Sequence, residues 1–194
     1  MNEKIRKLTV TAMLSAVATI LMFIDFSVPF MPSFIKMDIS ELPALLAGFA
    51  YGPLSGICVC LIKNVINLAR TTTSGIGEIC NFLMGVTFIL PSAMIYKYKK
   101  NRKGAVIGAV TGALLMAAMS LPINYFISYP IYAKFMPLEA IISAYQEIFP
   151  GVNGLLMCLI VFNIPFTLFK GAVDAIICFL IYKPLSPVLH KKIH

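Results

Sequence analysis

The chain has 194 residues, 59% of them hydrophobic and 12% charged, with a formal net charge of +8. An ordinary soluble domain carries about 25% charged residues, so this composition excludes a domain with water on all sides. The basic residues gather at segment ends and not on a solvated face, which excludes nucleic acid as a partner.

In lipid the backbone must satisfy its own polar groups, which leaves a helix bundle or a closed barrel. Barrel strands alternate apolar and polar residues, whereas here the apolar runs are continuous. An all-α polytopic membrane protein is predicted, one transmembrane domain over residues 1–194, with helices at roughly 8–28, 40–52, 53–69, 76–97, 104–128 and 155–182.

The first segment follows Lys4, Arg6 and Lys7. No small-x-small cleavage site follows it, since the chain continues Asp25-Phe26-Ser27-Val28-Pro29, so it reads as a span and not a cleaved leader. Residues 40–69 divide at Gly52-Pro53, because proline clashes with the preceding turn and glycine loosens it. Charge parity asks for the same division. Lys97, Lys99, Lys100, Arg102 and Lys103 precede the fifth segment, and Lys183, Lys191 and Lys192 close the chain. With the N-terminal three they make 11 of the 16 basic residues, and the positive-inside rule keeps all three clusters cytoplasmic. Six helices with both termini inside satisfy that parity. The outer side then carries 29–39, 70–75 and 129–154, and the last, at 26 residues, is read as a lid or binding element.

Cys58, Cys60, Cys80, Cys158 and Cys178 all lie within apolar runs. Cys58 and Cys60 point about 200° apart on a helix, and His190 and His194 stand far off in the tail, so no metal site is expected. The cysteines read as small apolar residues.

Polar residues inside the apolar segments carry the functional signal, because each costs about 2.5–3.5 kcal/mol on insertion scales unless it meets a partner or a cavity. Asn163, Thr167, Lys170 and Asp174 are spaced 4, 3 and 4, on one helical face. Lys63, Asn67 and Arg70, with Asn64 beside them, form a stripe on the third segment. Glu78 and Asn81 begin the fourth; Ser120, Asn124 and Ser128 mark the fifth. Such stripes either join helices by hydrogen bonds or line a cavity. The serines suit the first use, and Lys170 with Asp174 suits an ion pair at i, i+4. The amides and amines gathered toward the outer half suit a cavity for a polar, uncharged, hydrogen-bonding ligand. The chain has 14 Phe and 8 Tyr but no Trp. Phe26, Phe30 and Phe34, and Tyr125, Phe126, Tyr129 and Tyr132, read either as an interfacial belt or as a stacking surface for a flat ligand.

No catalytic residue is expected. There is no Gly-x-x-x-x-Gly-Lys-Ser/Thr loop, so ATP hydrolysis is not assigned to this chain. His-Glu-x-x-His and Gly-x-Ser-x-Gly are lacking too, as is any filter-like sequence.

Three segments resemble a known family. They are Asp38-Ile39-Ser40-Glu41-Leu42-Pro43-Ala44-Leu45-Leu46-Ala47-Gly48-Phe49-Ala50-Tyr51-Gly52-Pro53 followed by Leu61-Ile62-Lys63-Asn64; Asn124-Tyr125-Phe126 with Pro130-Ile131-Tyr132-Ala133-Lys134; and Pro165-Phe166-Thr167-Leu168-Phe169-Lys170-Gly171. Over nearly its whole length the chain is similar to the riboflavin-specific S components, the substrate-binding subunits of energy-coupling factor (ECF) transporters. The first segment is shared in looser form by S components for several vitamins, and the third is closer to the riboflavin branch.

The resemblance implies an S-component bundle in the cell membrane that binds riboflavin near its outer face, under the loop after helix one. Riboflavin is then the transported ligand, with no cofactor. It also implies partners: a membrane coupling subunit and two ATPase subunits. Family members dock through an Ala-x-x-x-Ala face on helix one, which Ala12 and Ala16 fit. Lys170 matches the family's ligand-binding lysine. Thr167 departs from the asparagine often found three residues before it; threonine keeps a donor and an acceptor but loses reach, and Asn163 is placed to compensate. Asn81, Asn124 and Lys63 complete the polar candidates from the stripes. Tyr125, Tyr132, Met37 and Leu42 are the candidates for the flavin ring. The residues themselves leave open an S component for another vitamin, a solitary carrier, and a membrane enzyme acting on a lipid-soluble substrate.

Overall fold

The structure, a computed structural model, describes residues 2–71, 73–134 and 136–190, with side chains as far as Ile181. Lys191, Lys192 and His194 of the basic tail lie outside the described residues, and of Lys183 and His190 only the backbone is described.

Asn2 starts helix α1 (Glu3–Phe23) by accepting the amide of Lys4 on its side chain, with Glu3 in the positive first turn. The helix buries a seam of Thr11, Ser15, Ala18 and Thr19 and exposes Leu8, Met13 and Ile20, an apolar outer face suited to lipid. It ends at 23, five residues before the expected limit, because the chain turns into a small antiparallel hairpin, β1 (Phe26–Ser27) with β2 (Lys36–Met37).

Helix α2 (Glu41–Tyr51) and helix α3 (Pro53–Asn67) are separate. Gly52 between them has φ of 91° and ψ of 170°, a conformation open essentially to glycine alone, and Pro53 is preset for the first position of a new helix. Nine of the eleven α2 residues are buried, so this short helix is the centre of the bundle and not a wall of it. It packs against α1 and α3 and against two of the long helices described below, Ile76–Tyr98 and Ile164–His190.

Helix α4 (Ile76–Tyr98) is followed by α5, which runs over Arg102–Tyr132 with a π-helical turn at Asn124–Ser128. Gly108 and Gly112 of α5 lie against the backbone of Phe88 and Ser92 of α4, where a methyl group would collide with carbonyl oxygens. Small residues thus permit close packing of α4 on α5. A short helix α6 (Leu138–Gln146) interrupts the long loop. Helix α7 begins at Leu155–Cys158, passes through a second π turn at Leu159–Asn163 and continues over Ile164–His190.

Each π turn stands directly before a proline. Tyr129 donates its amide to Asn124 and Ile164 to Leu159, five residues back, and Pro130 and Pro165 follow. A wide turn at that place relieves the clash of the ring with the preceding turn.

Among the described residues, five helices are long and apolar enough to cross a membrane: Glu3–Phe23, Pro53–Arg70, Ile76–Tyr98, Arg102–Tyr132 and Leu155–Ile181. α2, with 11 residues, reaches only about 16 Å at 1.5 Å per residue, about half a bilayer core. The expected second span is therefore a half-length helix held inside the other five.

Candidate functional site

The end of the bundle where α1 and α3 stop and α4 starts holds a cavity of about 520 Å³. Its base is a chain of buried ions. Lys170 of α7 reaches across 132 residues of sequence to donate to Asp38 Oδ2 at 2.7 Å. Asp38 Oδ1 accepts from the amide of Ser40 at 2.9 Å and from its hydroxyl. Ser40 Oγ in turn accepts from Lys63 of α3 at 2.6 Å, and Lys63 also donates to Glu41 Oε1 at 2.6 Å. Two lysines and two carboxylates are thereby joined through one serine, and they tie the loop before α2 to α2, α3 and α7. Burial alone would raise the Asp38 carboxyl. The charges of Lys170 and Lys63, with hydrogen bonds from Lys170 and Ser40, outweigh burial and hold it well below the usual carboxylate range.

Asp174, one turn beyond Lys170, is fully buried and neither carboxyl oxygen has a hydrogen-bond partner among the described residues. The expected pairing of Lys170 with Asp174 is therefore corrected: the ammonium is taken by Asp38. A loop carboxylate can approach the ammonium head-on, whereas a residue on the same helix is confined to its own turn.

One wall is set by Glu78, which accepts from Asn67 at 3.0 Å and from the Thr71 hydroxyl at 2.9 Å, linking the end of α3 to the start of α4. Another wall is a relay of hydroxyls. Tyr145 of α6 donates to Asn163 Oδ1 at 2.8 Å and shares a 2.5 Å bond with the Tyr129 hydroxyl. Its ring is wholly buried, edge-on to Phe34 at 5.9 Å and tilted against Phe162 at 5.2 Å. Burial, then the neighbouring Tyr129, push this phenol well above its ordinary range, so it stays a neutral hydroxyl. At the rim Arg70 donates to the Phe23 carbonyl and lies 5.0 Å over the Phe23 ring.

Of the residues singled out from the sequence, Lys170, Thr167, Asn163, Asn124, Asn81 and Tyr132 line this one cavity. Asn81 Oδ1 has no partner among the described residues, and Asn124 donates one of its two amide hydrogens to the Ser120 carbonyl at 2.8 Å. Four do not line it. Lys63 is buried below it, committed to Glu41 and Ser40. Met37 and Leu42 are buried in the packing beside it. Tyr125 turns outward onto Phe126, 5.1 Å away, because the π turn rotates the end of α5. Ala12 and Ala16 stand exposed on α1, beside its buried seam.

The cavity also takes Phe34 and Tyr129 from the aromatic groups, and two residues that the sequence reading did not single out from the stripes, Asp38 and Glu41. A signal existed for the acids: lysines in apolar segments need counter-charges, and Asp38 and Glu41 open the second segment. Four acidic and three basic side chains line the space, and most are consumed by one another. What remains to face a ligand is amides, hydroxyls and aromatic rings, a lining for an uncharged molecule with a flat part and a polar part.

The family of ECF transporter substrate-specific components matches residues 6–182 of the chain. The chain is similar to the riboflavin transporter RibU of Staphylococcus aureus, 34% identical over 186 residues, 96% of this chain and 93% of that one. It is similar to the riboflavin transporter FmnP of Bacillus subtilis, 32% identical over 192 residues, 97% of this chain and 96% of that one. A solved structure described as the S component of a bacterial ECF transporter superposes with a TM-score of 0.77 at 32% identity, covering 97% of this chain and all of that one.

Proposed function

The chain belongs to the family of ECF transporter substrate-specific components, and from that premise we propose that it captures riboflavin at the outer face of the bacterial cell membrane for ATP-driven import. The observation that carries the reading is the cavity at one end of the bundle, in which charges cancel and amides, hydroxyls and rings remain. Riboflavin has that division: a flat apolar ring system and an uncharged chain of hydroxyls.

In this reading Lys170 holds the site twice. One of its three hydrogens bonds Asp38 and fixes the loop; the others are available to the ribityl chain. Thr167 and Asn163 extend that donor row along α7, and Asn124 and Asn81 face it with free carbonyl oxygens. Phe34, Tyr129 and Tyr132 supply ring contacts in place of Tyr125, Met37 and Leu42. ATP hydrolysis belongs to two partner ATPases, joined to this chain by a membrane coupling subunit that meets Ala12 and Ala16. The cavity end faces outward and the basic end inward.

Titration of the purified protein with riboflavin, followed by quenching of flavin fluorescence, tests the substrate. Stoichiometric quenching, and a yellow protein on purification, are expected. Binding of a different vitamin with no riboflavin binding would keep the family and remove the substrate.

A further inference from the structure

A second cavity, of about 280 Å³, lies at the other end of the bundle, between the first turns of α1, the last turn of α2 at 48–52 and the end of α4. Nothing in the proposed transport of riboflavin uses it. Its lining brings together Lys7, Lys97 and Lys100 with a single acid, Glu3, and two phenol rings, Tyr51 and Tyr96. None of the three lysines makes an ion pair or hydrogen bond with any described residue, in contrast to Lys63 and Lys170 at the first cavity. Three ammonium groups thus line one recess against a single carboxylate, Glu3, with which none of them pairs, and the excess positive charge favours the entry of an anion.

The place of the recess says which anion. It opens where α1 begins and α4 ends, at the level of a bilayer's headgroups on the side that the basic loop Lys97–Lys103 marks as cytoplasmic. Tyrosines are at home at that depth, with the ring toward the chains and the hydroxyl toward the headgroups. Basic pockets between transmembrane helices on that side suit anionic lipid headgroups, and the cytoplasmic leaflet attracts cations generally. We propose that this recess is a lipid site, in which Lys7, Lys97 and Lys100 hold the phosphate of one anionic phospholipid against the α1–α2–α4 junction. The lipid balances the excess positive charge and bridges α1 to α4 at the C-terminal end of α2, whatever ligand the first cavity takes.

Native mass spectrometry of the detergent-purified protein, with phosphatidylglycerol or phosphatidylcholine added, tests this. Two triple variants are compared: Lys7→Gln, Lys97→Gln, Lys100→Gln inside the recess, and Lys99→Gln, Arg102→Gln, Lys103→Gln just outside it. Both remove three charges from the same end of the molecule. The expected result is one phosphatidylglycerol retained by the wild type and the outer variant, about tenfold over phosphatidylcholine, and loss of that preference in the recess variant. Equal losses in both variants, or no preference for phosphatidylglycerol in the wild type, would overturn the site. Displacement of the bound lipid by millimolar inorganic phosphate would overturn the lipid in favour of a free phosphate ion. Retained quenching of riboflavin shows that each variant is folded, and Lys97→Gln alone, at an exposed helix end, gives a milder version should the triple variant fail to fold.

Discussion

Lys170 and Asp38 form one unit, and that changes what a substitution at either should do. Removing one partner of a buried ion pair leaves an uncompensated charge and costs about 3–5 kcal/mol. Lys170→Met should therefore lower thermal stability as well as riboflavin affinity. The double variant Lys170→Met, Asp38→Asn removes both charges, and should recover most of the stability while keeping an affinity loss of about tenfold to a hundredfold, since a lost buried hydrogen bond costs about 1–3 kcal/mol and each 1.4 kcal/mol is a factor of ten. Flavin quenching and thermal melts on the two variants check it; full affinity in the double variant would remove Lys170 from the ligand. Acid sensitivity follows the same pair. The folded Asp38 carboxyl is held below its unfolded value of about 4, so its contribution is complete above that pH and is lost as the pH falls toward the folded value. Asp38→Asn should flatten the fall in melting temperature between about pH 5 and pH 3. The residues themselves were unevenly legible. The 4, 3, 4 spacing of Asn163, Thr167, Lys170 and Asp174 names one face of a helix, and three of the four line the cavity. The partner of Lys170 was not legible, because it comes from a loop 132 residues away and periodicity speaks only of neighbours on one element.

At the scale of elements, α6 is held to the bundle by the packing of Ile141 and by Tyr145, whose hydroxyl reaches both Tyr129 of α5 and Asn163 of α7. The sequence marked the segment 129–154 as too long for a turn but gave no reason to choose Tyr145 within it. That residue matters because it meets two π turns, and a π turn leaves a signature in sequence only as a proline just beyond. Tyr145→Phe keeps the ring between Phe34 and Phe162 and removes the hydroxyl. Riboflavin should dissociate about tenfold faster from this variant, with little change in the rate of association, because a loosened cover shortens residence more than it hinders encounter. Stopped-flow quenching reads both rates. In an Asn163→Ala background the same change should do little more, and additive effects would detach Tyr145 from the site. The break between α2 and α3, by contrast, was legible from two letters. Gly52 at φ 91° rejects a side chain, so Gly52→Ala should cost about 1–3 kcal/mol of stability, seen as a lower melting temperature, with riboflavin affinity unchanged.

Across the whole molecule, charge is divided between two ends. One end gathers Lys4, Lys7, Lys97, Lys99, Lys100, Arg102 and Lys103 with Glu3, and the other holds the cavity with its balanced ions. The break that parity asked for between α2 and α3 is present, and its turn at Gly52 lies at the basic end, beside Lys7 and Lys97. Single cysteines at Asn101 and Glu147, in a chain freed of its native cysteines, should label from the inside and the outside respectively; both positions are exposed. External labelling at 101 would invert or refute this topology. Transport requires one thing more, a face for the coupling subunit. α1 buries only Thr11, Ser15, Ala18 and Thr19 and leaves Ala12 and Ala16 bare, four residues apart and so on one side of the helix. Two small residues in that register let a second helix approach to backbone contact. The cavity proposed for riboflavin lies at the far end of α1, where Met22 lines it, so bulk at Ala12 or Ala16 cannot reach a ligand there. Ala12→Trp and Ala16→Trp should therefore bind riboflavin with wild-type affinity when purified, yet fail to import it in cells that make the coupling and ATPase subunits. Loss of both binding and uptake would mean that the tryptophans disturb the fold. Normal uptake with either tryptophan would place the coupling face elsewhere on the bundle.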